Sequence, residues 1–72
     1  MKILVLNSGS SSIKYQLFEM PEGTVIARGL LEKIGEEVSL FSQKSPKGDL
    51  ELKKQISDHD QGVNFIIGML TD

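Results

Sequence analysis

The residues best equipped for chemistry lie between positions 7 and 14, where the chain reads NSGSSSIK. A bound phosphoryl group asks for a backbone that can approach closely, for several N–H and O–H donors, and for one fixed cation. Gly9 meets the first need and can also take a positive φ. Ser8, Ser10, Ser11 and Ser12, with their backbone amides, meet the second. Lys14 meets the third: a lysine about 4 Å from a phosphate near a protein surface gains about 4 kcal/mol before desolvation. A solvated surface lysine gains far less, and Ser and Gly are common turn formers. The plain alternative is therefore a polar hairpin turn beside a solvent-facing lysine. The run is not a Walker A loop, because G-x-x-x-x-G-K-[ST] is absent and no helix follows. It does not fit the G-x-S-x-G nucleophile elbow either.

Other reactive side chains are few. His59, the only histidine, stands between Asp58 and Asp60. A metal or acid–base role is conceivable, but a residue of the first helical turn is the favoured reading. Nothing supports a Ser–His–Asp hydrolase. Arg28 is the only arginine, and nothing brings it near the serine run. The chain has no cysteine, which excludes disulfides and thiolate metal sites and fits a cytoplasmic protein. Eight basic against ten acidic residues, with no basic cluster, argue against nucleic acid. No apolar run approaches the roughly 20 residues that span a bilayer. The short run after Met1-Lys2 is no signal peptide.

The elements that must position these residues follow from periodicity. Residues 2–7, KILVLN, carry a near-continuous β-branched and Leu run and predict a strand buried on both faces. Residues 13–19, IKYQLFE, alternate at period two and predict a second strand. Pairing Asn7 with Ser12 would gather Asn7, Ser12, Lys14 and Gln16 on one face, leaving Leu4, Leu6, Ile13, Tyr15 and Leu17 for the core. MPEGT at 20–24 is a turn. A third strand begins at Thr24, is interrupted by Gly29, and gives way to a helical turn ending at Gly35. Residues 38–42 and 50–56 are two further strands, joined by a hairpin around Pro46 and Gly48. Val63, Ile66, Ile67 and Leu70 follow the spacing of one helix face. Asp58 is its N-cap, with Gln61 three residues on. Gly62 and Gly68 each weaken this helix by about 0.5–1 kcal/mol relative to Ala. Met20 and Met69 read as packing residues.

The expected architecture is α+β: a five-stranded, mostly antiparallel meander followed by one helix. With 72 residues the core is thin. One helix covers one face, so Ile3 and Val5 stay partly bare. That is what the opening of a larger α/β domain would look like.

The stretch VLNSGSSSIKYQLF resembles the N-terminal signature of the acetate kinase family, in which an apolar strand, Asn-x-Gly-Ser-Ser-Ser-x-Lys and a second strand follow in order. Positions 7 to 14 fit that signature without departure. RGLLEKIG resembles the family's Gly-x-x-Glu-x-Ile-Gly segment, and DHDQGVNFIIGMLTD its Asp-His helix start. The family belongs to the superfamily of sugar kinases and actin. The resemblance implies an α/β domain of the ribonuclease H-like, actin/hexokinase type, of which residues 1–72 would be the N-terminal part of the first nucleotide-binding domain. It also implies reversible phosphoryl transfer between ATP and a short carboxylate such as acetate, giving ADP and an acyl phosphate, with Mg2+. Carried over by position, Asn7 is magnesium-associated, Lys14 contacts ATP, and Ser10 and Ser12 lie in the loop that approaches the phosphates. No catalytic residue falls within the segment, so the isolated chain should be inactive. The competing expectations are a small non-catalytic phosphate- or nucleotide-binding module, and a structural β-module completed by a second copy or another chain.

Overall fold

In the computed structural model, which describes residues 1–71, five strands form one sheet in the order β1-β2-β3-β4-β5. They are β1 (Lys2–Ser8), β2 (Ile13–Glu19), β3 (Thr24–Glu32), β4 (Ser39–Ser45) and β5 (Gly48–Lys54), followed by helix α1 (His59–Thr71). Every pairing is antiparallel. This is the expected meander and helix. Consecutive strands pair because each connection is short enough to act as a hairpin.

The registers sort the side chains into two faces, because directly opposed residues share a side. The helix side carries the row Ser8, Ile13, Leu31, Phe41, Leu52 and the row Leu6, Tyr15, Gly29, Gln43, Leu50. The core lies there. Ile13, Tyr15, Leu31, Ile34, Phe41, Ile56 and Ile66 are buried, and Leu4, Val63, Phe65, Met69 and Leu70 pack around them. Phe41 stacks on Tyr15 and meets Phe65 edge-on at 4.9 Å, an arrangement that ties helix to sheet.

Several local expectations change. Gly29 does not end the third strand. It sits opposite Tyr15 in mid-strand, where a Cβ would collide with the tyrosine ring. The strand runs on to Glu32, and no helical turn forms. The reversal comes instead at Lys33 and Gly35, which take φ values of 61° and 91°. β4 runs from Ser39 to Ser45 and β5 from Gly48 to Lys54, so the hairpin tip is only Pro46-Lys47. Ile56 leaves the sheet and plugs the core at 2% exposure. On the helix, Ile66 is buried but Ile67 is 43% exposed. Gly62 takes its place in the contact: a Cβ there would lie 3.0 Å from Ile13 Cδ1 and from Leu31 Cδ2. The missing side chain lets the helix settle directly over β2 and β3.

The helix start is as expected, with one shift. Asp58 Oδ1 accepts the Gln61 N–H at 2.9 Å. Gln61 Oε1 reaches back past the cap and accepts the Ser57 N–H at 3.0 Å. Among the described residues, no helix is long and apolar enough to cross a membrane.

Candidate functional site

β1 and β2 are joined by a four-residue bend, Gly9 to Ser12, closed by the Ser8–Ile13 pair. Asn7 is opposite Lys14, not Ser12, so the expected register is off. The grouping survives, because the true register also puts Asn7, Lys14 and Gln16 on one face. Direct partners have Cβ atoms about 4.5–5.5 Å apart, so the Asn7 amide and the Lys14 stem rise side by side. Asn7, Ser10 and Lys14 are exposed; Ser12 is half-buried. Asn7 and Lys14 share the face away from the helix, and Ser10 and Ser12 belong to the bend that follows Asn7's strand.

Gly9 is required for a different reason from the one its type suggests. Its backbone is not left-handed. Instead the bend is so tight that a Cβ at position 9 would stand 2.8 Å from the Ser12 hydroxyl oxygen. The Gly9 N–H crosses the bend to the Ser12 carbonyl at 2.7 Å.

The hydrogen bonding of the bend is one-sided. The Ser12 carbonyl takes the Gly9 amide, the Ser11 carbonyl takes the Ile34 amide at 3.0 Å, and the Gly9 carbonyl lies 2.8 Å from His59 Nε2. Three carbonyl oxygens are thus held by protein donors. Among the described residues, the amides and hydroxyls of Ser10, Ser11 and Ser12 donate to no protein acceptor. Carbonyl oxygens repel an anion and N–H and O–H groups attract it; three of the bend's four carbonyls, all but that of Ser10, are engaged, while the donors of Ser10, Ser11 and Ser12 are left without a protein acceptor among the described residues.

Periodicity missed two features of this site. One is Arg28. Registers across β2, β3 and β4 place Gln16, Arg28 and Lys44 in one row, next to the row of Asn7, Lys14, Leu30 and Ser42. Lys14, Gln16, Arg28, Ser42 and Lys44 line a shallow cleft of about 460 Å³. None of its three cations has a carboxylate within 4.0 Å among the described residues. No sequence signal placed Arg28 there while Gly29 read as a strand end. The other is His59, whose contact with Gly9 spans 50 positions. Such a contact leaves no local signature.

Among the described residues no three His, Asp or Glu side chains converge on a metal-sized site. Asn7 offers a single neutral oxygen. Mg2+ habitually keeps several waters and takes phosphate oxygens with few protein ligands, so one such oxygen fits a minor share of its shell.

A family model described as the Acetokinase family matches residues 2–72. The chain belongs to that family. An acetate kinase of Brachyspira hyodysenteriae is 53% identical over 74 residues, spanning 100% of this chain and 19% of the relative. One of Halothermothrix orenii is 45% identical over 73 residues, spanning 18% of its length. The crystal structure of Porphyromonas gingivalis acetate kinase matches with a TM-score of 0.92 at 46% identity, covering 99% of this chain and 18% of that one. The chain therefore spans less than a fifth of the length of these acetokinase relatives. The family resemblance and the meander-plus-helix fold both hold over essentially the whole chain.

Proposed function

We propose that the bend from Asn7 to Lys14 is the phosphate-approaching element of an acetate kinase. The reaction is reversible phosphoryl transfer between ATP and acetate, giving ADP and acetyl phosphate. Residues 1–72 are then the N-terminal part of the first nucleotide-binding-type domain, working in the cytoplasm. Lys14 and the donors of Ser10 and Ser12 contact the phosphates, and Asn7 contributes one oxygen to Mg2+. When bound, that ion screens the phosphate charge. Phosphoryl transfer rests on positioning and charge stabilisation more than on covalent participation by the protein. The supporting observation is the one-sided hydrogen bonding of the bend, with Lys14 standing beside Asn7.

The test is titration of the 72-residue chain with Mg-ATP, followed through the Ser10–Ser12 amide signals. Because Lys14 is exposed, Lys14→Ala should cost about 1 kcal/mol, roughly fivefold in affinity. Equal binding by parent and variant removes Lys14 from the site. The isolated chain should show no acetyl phosphate formation; turnover would overturn the view that the catalytic groups lie outside these residues.

A second reading, a non-catalytic β-module completed by a partner chain, is favoured by one observation. Ile3, Val5 and Val25 are 39–43% exposed on the face opposite the helix. Sedimentation that stays monomeric at high concentration would count against self-association.

A further inference from the structure

We infer that His59 is a positioning residue of the phosphate bend: it holds the Gly9 carbonyl turned away from the anion. This rests on the reading of the bend as a phosphate contact. His59 opens α1, and its Nε2 lies 2.8 Å from the Gly9 oxygen. A carbonyl has no hydrogen to give, so the imidazole nitrogen is the donor. Of the three carbonyls held in the bend, the Ser12 one is bonded within the bend itself and the Ser11 one by the backbone of Ile34. Only the Gly9 carbonyl depends on a side chain. It is also the first carbonyl of the bend, directly before the free amide of Ser10.

Peptide planarity makes the consequence specific. The Gly9 carbonyl and the Ser10 N–H belong to one plane and point in opposite directions. Fixing the oxygen toward His59 therefore fixes the Ser10 N–H toward the opposite side. Without the imidazole donor this plane is free to turn, and the carbonyl can take the place of the N–H. An anion would then meet an acceptor where it had met a donor. The helix cap serves the same end: Asp58 and Gln61 anchor the first turn, which sets the imidazole over the bend.

The experiment compares the parent chain with His59→Phe, which keeps a ring and loses the donor, and His59→Gln, which restores an N–H near the Nε2 position. Amide exchange and backbone relaxation of Ser10, Ser11 and Ser12 are measured without ligand, then inorganic phosphate is titrated. His59→Phe should loosen the Ser10 amide and weaken phosphate binding about tenfold, the effect of one lost hydrogen bond. His59→Gln should recover affinity to within about threefold. A Phe variant that binds like the parent, or a Gln variant as weak as Phe, overturns the inference. If His59→Phe does not fold, His59→Asn takes its place: its amide is too short to reach Gly9 and should reproduce the loss. If the parent binds no phosphate, the phosphate reading fails. The ligand-free comparison still decides His59, since unchanged Ser10 exchange and relaxation would reject it.

Discussion

Tyr15 shows how one side chain can be read by its titration. It is the only tyrosine of the chain and is 1% exposed. Its hydroxyl donates to Gln43 Oε1, and burial pushes its pKa up to about 12 from an ordinary 10. The protonated form is the neutral one. In the unfolded chain the phenol loses its proton near pH 10, whereas the folded chain keeps it until about 12. The stabilising contribution is thus whole below pH 10 and is lost as pH rises toward 12. Phenolate absorbance should rise together with loss of helical circular dichroism. A phenol that ionises near pH 10 while the fold persists would contradict this burial. Replacing Tyr15 by Phe leaves Gln43 without its donor and should cost about 1 kcal/mol in urea unfolding.

At the scale of elements, two glycines make opposite predictions. Gly29 lies under the Tyr15 ring, so Gly29→Ala forces the ring or strand to move and should destabilise by about 1–3 kcal/mol. Gly68 has open space where a Cβ would be, and Gly68→Ala should stabilise by about 0.5–1 kcal/mol through helix propensity alone. Thermal midpoints moving in opposite directions check both. The same two residues mark what a sequence can convey. Alternation in IKYQLFE fixed β2 and its faces, and the Asp58 cap with the apolar spacing that follows fixed α1. The length of β3 was hidden because Gly29 is chosen by a ring from the neighbouring strand, which no local pattern encodes. In the site, the shared side of Asn7 and Lys14 was legible, since parity survives a register error of two. The tether from His59 and the placement of Arg28 were not, because both depend on contacts between distant segments.

For the whole molecule, area decides. A monomer of 8.0 kDa should expose about 4,450 Å² by size scaling, and this chain exposes 4950 Å². The surplus is visible in its elongated outline of 39 × 22 × 18 Å and in a β5 exposed along its whole length. Stability should therefore be slight, no more than about 3–5 kcal/mol by urea unfolding; a value near 10 would refute this. The two faces should also respond differently. Ile66→Ala, in the core, should cost about 2–5 kcal/mol, whereas Val5→Thr, on the bare side, should stay within about 0.5 kcal/mol in the isolated chain.

The turn after β3 joins parts that would otherwise be separate. Two successive amides leave it in different directions, Ile34 to the Ser11 carbonyl and Gly35 to the Ile56 carbonyl. The Ser39 hydroxyl clasps it from below, donating to Lys33 and accepting from Ile56. This corner works as a yoke. The segment ahead of the helix and the serine bend are thereby bonded to neighbouring residues of one turn, a single step apart along the chain.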